Sequence, residues 1–201
     1  MNPSKFYDIA IIGAGCVGSA IAQRLSKFKI DTILIDKESD VSMGATKANS
    51  GIIHQGYFTT KGSLKEKLCL RGNKLIDEIG PKIGVEYERI GAIFCATNKV
   101  ECETLEGEFT KSQNRGVEVE LISDFNKIHE IEPQLNDNVI TILHFPRAGI
   151  IIPFELTIAL AEHAMINGSE LLLEFEVGFI KKNTENDIFE IHSTDGRKIK
   201  A

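Results

Sequence analysis

The segment IIGAGCVGSA, residues 11–20, constrains this chain more than any other stretch. It sets Gly13, Gly15 and Gly18 at G-x-G-x-x-G spacing. The apolar run Tyr7–Ile12 precedes it, and Val17, Ile21, Leu25 and Phe28 follow at helical intervals. Tyr7–Ile12 suits a strand buried on both faces, and Thr32–Ile35 suits a second, closed by Asp36. Strand, glycine turn, helix and strand make a right-handed βαβ unit. In such a unit Gly13 permits the tight turn, Gly15 lets the backbone approach a pyrophosphate, and Gly18 lets the helix pack close to the strand. The helix N-terminus then offers unpaired N–H groups and a partial positive charge to phosphate. Asp36, followed by Lys37, stands where a carboxylate accepts ribose hydroxyls. By itself the glycine spacing is equally a structural turn; with strand, helix and acid in register it reads as a dinucleotide site. A carboxylate at that position repels a 2′-phosphate, which disfavours NADP. It does not separate NAD from FAD, because both carry ADP.

Beyond Asp36 the pattern loosens. Residues 37–62 are rich in Gly, Ser, Thr and Asn and read as a long loop, of the kind that is functional when it occurs inside a compact domain. Within it, KANSGIIHQGY (47–57) sets Asn49, Ser50, Gly51 and His54 around the apolar pair Ile52–Ile53. A helix carrying Leu64, Leu68, Leu75 and Ile79 on one face is expected to end at Gly80-Pro81. There follow a strand over Ile90–Ala96, a Glu-rich helix over 99–114, an alternating strand around Val117–Leu121, and a short helix capped by Ser123 or Asp124 before Pro133. Val139–Phe145 reads as a strand, and a helix runs from Pro153 to a stop at Asn167-Gly168. Leu171–Ile180 reads as one long strand. Asp187–His192 and Lys198 onward read as a hairpin about Thr194-Asp195-Gly196. The chain ends in Lys-Ile-Lys-Ala in mid-strand, and the expectation is an N-terminal fragment. The fold class is α/β: a Rossmann-like βαβ with a β-meander, plus part of an α+β substrate domain. The expected division is residues 1–80, 81–150 and 151–201.

Net charge is −6 without a basic cluster, which argues against nucleic acid as a partner. Cys16, Cys69, Cys95 and Cys102 form no C-x-x-C pair and fit no zinc spacing, so no metal is expected. They read as reduced thiols, mostly buried, in a cytoplasmic protein. An NAD fold continues with alternating strands and helices after its second strand. The insertion here suits a flavin enzyme, whose ring must be covered from the substrate side, with the 47–57 stretch along the flavin. Small residues there allow close approach.

YDIAIIGAGCVGSAIAQRL, GATKANSGIIHQGY, GSLKEKLCLRGNKL and GIIIPFELTIALAEHA together resemble the D-amino-acid-oxidase-like superfamily of FAD enzymes. Within it they look most like the branch of the anaerobic-type glycerol-3-phosphate dehydrogenase large subunit, with L-2-hydroxyglutarate oxidases as close rivals. The resemblance implies FAD as cofactor. It assigns the pyrophosphate to Gly13, Gly15 and Gly18, the ribose to Asp36, and the flavin-side loop to Thr46, Asn49, Ser50, Gly51 and Ile52; Lys37 is a further cofactor-binding candidate. Val177 matches the position whose backbone meets the adenine. It implies oxidation of a small anionic hydroxy compound, with glycerol 3-phosphate preferred; the alternatives are a 2-hydroxyacid oxidase or dehydrogenase acting on L-2-hydroxyglutarate, and a truncated, non-catalytic FAD-domain chain. The electron acceptor is a quinone, oxygen or an iron–sulfur protein, and peripheral membrane association is among the options left open. Phe58-Thr59 stands where the aerobic branch carries Arg-Tyr, so the phosphate contact is left unplaced. His54 is the candidate catalytic residue: it takes the hydroxyl proton, or polarises the substrate, or is a structural histidine. Arg147, Lys61, Lys65, Arg71, the other histidines and the Glu run 101–108 read as surface or packing residues.

Overall fold

The computed structural model describes residues 5–184 and 187–201. In chain order it begins with β1 (Ile9–Ile12), α1 (Cys16–Leu25), β2 (Thr32–Ile35), a 3-10 turn (Ala45–Ala48), β3 (Ile52–Ile53) and α2 (Leu64–Ile83). Next come β4 (Tyr87–Glu88), β5 (Ala92–Ala96), α3 (Lys99–Gln113), β6 (Glu120–Ile122), α4 (Phe125–Ile131), β7 (Thr141–Phe145) and β8 (Gly149–Ile151). The last are α5 (Pro153–Ile166), β9 (Glu170–Leu172), β10 (Val177–Asn183), β11 (Ile188–Ser193) and β12 (Lys198–Lys200). The chain divides into two compact units, one of Met1–Ser50, Lys82–Val85 and Ile152–Ala201, the other of Gly51–Pro81 and Glu86–Ile151. The chain therefore leaves the first unit after Ser50, where the sequence suggested residue 80, and returns for good at Ile152.

In the first unit β2 is the middle strand of a parallel sheet ordered β1-β2-β9. All four of its residues are buried, and they alternate between two cores. Leu34 joins Ile11, Ala14, Ala22, Val41, Ala161 and Ala164 on the helical side. Ile33 and Ile35 join Tyr7, Phe175, Ile191 and Ile199 on the side of the antiparallel β10-β11-β12 meander. The pleat alone explains this division.

α1 turns a different face inward from the one its apolar residues suggest. Val17, Ile21 and Phe28 are exposed, while Gly18, Ser19 and Ala22 are buried. Small side chains let the helix sit close to its neighbours, and that close approach outweighs the larger transfer energy of the branched residues. Leu171–Ile180 is also not one strand. It breaks at Glu174, whose φ is +53°. There the Glu174 and Phe175 N–H groups donate to the Glu38 and Asp36 carbonyls at 2.9 Å each. β9 serves the parallel sheet and β10 the meander, and the break lets the chain pass from one to the other. α5 runs from Pro153 to Ile166 and is followed by a left-handed Gly168 (φ +100°), as its sequence signals suggest. β12 pairs with β11, and the Lys200 carbonyl accepts from the Tyr7 N–H at 3.1 Å.

The second unit holds two antiparallel sheets, ordered β3-β8-β4 and β5-β7-β6. Its main core gathers Ala96, Leu105, Val117, Leu143, Phe145 and Ala148, with Tyr57, Leu70 and Phe94 packed on it. Part of the expected loop, Ile52–Ile53, is thus a strand. Helix α2 runs through Gly80-Pro81 to Ile83; the stop is Gly84 at φ +71°. Proline withholds one N–H in the last turn, whereas a left-handed glycine reverses the chain. On α2 Leu64 and Leu68 are exposed, and Glu66 and Asn73 are buried. Glu108, expected on a wet helix face, is 4% exposed and pairs with Arg115 at 2.6 Å. Arg115 also reaches Glu66 at 3.2 Å. The Phe58 and Gly62 N–H groups close this buried cluster by donating to Glu108 and Glu66. The four thiols are free; Cys95 is exposed and the other three are only partly buried, against the expectation of burial.

Candidate functional site

The glycine turn is built as its spacing requires. Gly13 holds φ +104° and donates its N–H to the Ile35 carbonyl at 2.7 Å, which ties the end of β1 to β2. A Cβ on Gly18 would lie 1.8 Å from the Gly13 oxygen, so no other residue fits without moving the helix. Gly15 is the N-cap of α1 and contributes no capping side chain; the first turn carries no acid. Thr46 reaches across instead: its Oγ1 accepts from the Cys16 N–H at 3.1 Å. A Cβ on Gly15 would lie 3.2 Å from that hydroxyl. The Asn49 amide donates to the Thr46 carbonyl, which braces the 3-10 turn over the start of α1. Ser50 is exposed beside it.

At the ends of the strands a cavity of about 320 Å³ brings together Gly13, Asp36, Lys37 and Val177. Phe175 and Glu176 also line it. Sequence reasoning missed these two because it carried one strand straight through them. Asp36 is not a free ligand. Its Oδ2 accepts from the Ala14 N–H at 2.6 Å and its Oδ1 from the Glu38 N–H at 3.0 Å. A carboxylate has about four lone-pair sites, so roughly two remain for hydroxyl donors. Ser42 was also missed. It sits at φ +65°, gives its N–H to the Ala14 carbonyl at 3.0 Å, and keeps a buried hydroxyl.

Within the second unit, Gly51 precedes and Ile52 opens strand β3, an edge strand of its sheet. The Gly51 carbonyl accepts from the Ile151 N–H at 2.9 Å, and Ile52 stands opposite Ile150. That register makes Ile52 a non-hydrogen-bonded position, so its N–H points away from β8 toward the open edge. His54 follows, half-buried, with its Nδ1 accepting from the Gly56 N–H at 2.9 Å. Its ring lies 3.9 Å from that of Tyr57, tilted by 30°. Burial first, and then the charge of Lys65, hold its pKa below the ordinary histidine value. Buried Asn73 donates to the His54 and Arg147 carbonyls at 3.4 and 2.9 Å. Arg147 itself pairs with Asp77, which Arg89 also holds at 2.7 Å. Lys65 and Arg71 on α2 are exposed, and so is Lys61 in the turn before it. Among the described residues no helix is long and apolar enough to cross a membrane, and no group of His, Cys, Asp or Glu side chains is arranged to hold a metal.

A family profile for DAO, the FAD dependent oxidoreductases, matches residues 8–201. The chain belongs to this family. A glycerol 3-phosphate dehydrogenase of Caloramator mitchellensis is 42% identical over 176 residues, covering 88% of this chain and 37% of the relative. An L-2-hydroxyglutarate dehydrogenase of Escherichia coli K12 is 30% identical over 179 residues, covering 88% of this chain and 42% of the relative. Among solved structures, the FAD-bound L-α-glycerophosphate oxidase of Mycoplasma pneumoniae superposes with a TM-score of 0.88 at 25% identity. That match covers 95% of this chain and 50% of the other. Glycine oxidase of Geobacillus kaustophilus superposes at 0.87 and 24% identity, covering 98% and 54%, and shares the fold. The chain thus spans less than half the length of these curated relatives. FAD is the family's cofactor, and the first unit fits its ADP half. A glycine-lined turn, a helix start without an acid and a cavity lined by Asp36 and Val177 are compatible with an ADP group.

Proposed function

We propose that this chain carries the FAD-binding part of an enzyme that oxidises a small anionic hydroxy compound, with glycerol 3-phosphate giving dihydroxyacetone phosphate as the preferred reaction. The carrying observation is the cavity at the ends of β1 and β2, where the glycine turn, Asp36, Lys37 and Val177 meet. Gly13, Gly15 and Gly18 admit the pyrophosphate, and the N–H groups opening α1 donate to it. Asp36 keeps the turn closed and accepts from the ribose. Lys37 flanks the ribose, and Val177 presents its backbone to the adenine. Thr46, Asn49 and Ser50 form the wall over the start of α1. The family resemblance gives Gly51 and Ile52 to the flavin-side loop, and His54 is the candidate catalytic residue. Bound FAD supplies a two-electron acceptor, so the substrate's carbon-bound hydrogen leaves as hydride and its hydroxyl hydrogen as a proton, turning alcohol into ketone.

The 42% identity to the glycerol 3-phosphate dehydrogenase supports the substrate. The L-2-hydroxyglutarate dehydrogenases at 30–36% identity favour the alternative, a 2-hydroxy acid. The proposal includes a cytoplasmic location and an electron acceptor that is a quinone, oxygen or an iron–sulfur protein. The deciding experiment mixes the flavin-loaded protein with each substrate without oxygen. Bleaching of the flavin by glycerol 3-phosphate supports the preferred reading. Bleaching by L-2-hydroxyglutarate alone transfers the assignment to the alternative, and bleaching by neither removes both.

A further inference from the structure

His54 has one nitrogen whose role the backbone decides. The Gly56 N–H donates to Nδ1 at 2.9 Å. An N–H facing Nδ1 requires a lone pair there, so the proton of the neutral ring is on Nε2. The residues around this bond are fixed. Gly56 is buried at φ +86°, where a Cβ would meet the Leu70 side chain at 2.9 Å. Gln55, 4% exposed, donates to the Glu118 carbonyl and accepts from the Arg147 N–H, at 2.7 and 2.8 Å. Asn73 holds the His54 carbonyl. The Tyr57 ring covers one face of the imidazole. The ring therefore cannot exchange its nitrogens without losing a bond to a backbone that is held on several sides. Nε2 has no hydrogen-bond partner among the described residues.

We infer that His54 is a hydrogen-bond donor to an acceptor oxygen of the substrate, locked in the Nε2–H tautomer by Gly56, and does not take the hydroxyl proton. The ligand in this inference rests on the proposed function; the tautomer does not. A base at this position would need a bare Nε2, and hence a proton on Nδ1 directed into the Gly56 N–H.

The test is nitrogen-15 NMR of the histidine rings in the flavin-loaded protein at pH 7.5, with the His54→Gln variant assigning the His54 signals by their disappearance. The expected result is a neutral ring protonated at Nε2. A ring protonated at Nδ1, or at both nitrogens, overturns the inference whatever the substrate proves to be. A kinetic arm uses glycerol 3-phosphate. His54→Gln keeps an N–H donor near the Nε2 position and should hold kcat within about threefold of the parent, while His54→Phe loses about tenfold in kcat/KM. Equal and large losses of kcat in both variants would mark His54 as the proton acceptor and overturn the inference. If neither hydroxy compound bleaches the flavin, the functional reading fails alone and the NMR result still decides the tautomer.

Discussion

Asp36 is a strut as well as a ligand, and its removal acts on the turn before it acts on a nucleotide. Asp36→Ala deletes a charge-assisted bond to Ala14 and leaves that N–H unpaired. The expected cost is about 1.5–3 kcal/mol in urea unfolding, together with loss of FAD retention. Asp36→Glu, which extends the carboxylate by one methylene, should keep part of both. Gly18→Ala is harsher, because its Cβ would overlap the Gly13 carbonyl. The expected outcome is purified protein without flavin, whereas Gly107→Ala, with open space around it, retains flavin. In the second unit Arg115 lies between two buried carboxylates. Arg115→Ala leaves both uncompensated and should cost about 3–5 kcal/mol, while exposed Glu103→Ala stays within about 0.5 kcal/mol. The Gly62 N–H first, and then Arg115, hold the Glu66 pKa below its ordinary value. That contribution is fully present above the ordinary glutamate range and is lost as pH falls through it to the lowered value. An acid titration of stability in parent and Glu66→Gln should therefore diverge above that range and converge below it.

At the scale of elements, the legible features were those fixed by one local rule. Pro153 and Gly168 bound α5, and Asp124 caps α4 by accepting from the Lys127 N–H. The glycine turn was legible because each of its glycines answers a separate steric demand. What failed was the choice of buried face. On α1 the buried residues are Gly18, Ser19, Ala22 and Gln23 rather than large apolar ones, and on α2 they include Glu66 and Asn73. Hydrophobic periodicity carries no signal for a polar side chain buried with its partners, since those partners are distant in sequence: Arg115 for Glu66, and the 54 and 147 carbonyls for Asn73. The break at Glu174 was hidden for a related reason. A strand that leaves one sheet for another keeps its apolar composition while its backbone turns. One element-scale prediction follows from Thr46, whose hydroxyl stands in for the missing cap of α1. Thr46→Val should destabilise the first unit by about 1 kcal/mol and weaken FAD binding, while Thr46→Ser largely preserves both.

For the whole molecule, the sequence and the fold converge on one coenzyme class by different routes. The glycine motif and Asp36 specify an ADP moiety without naming the redox end. The departure from an alternating βα order after β2, and the match of residues 8–201 to the DAO family, select FAD. The substrate was less legible, because the residues that distinguish a phosphate from a carboxylate are not marked by spacing, and Phe58-Thr59 offers no cation. The most direct measurement releases the bound nucleotide from the purified parent protein and from Gly18→Ala, and identifies it by chromatography and absorbance. FAD near one equivalent in the parent, lost in Gly18→Ala, is the predicted result. NAD in its place, or FAD retained equally by both, would contradict the account.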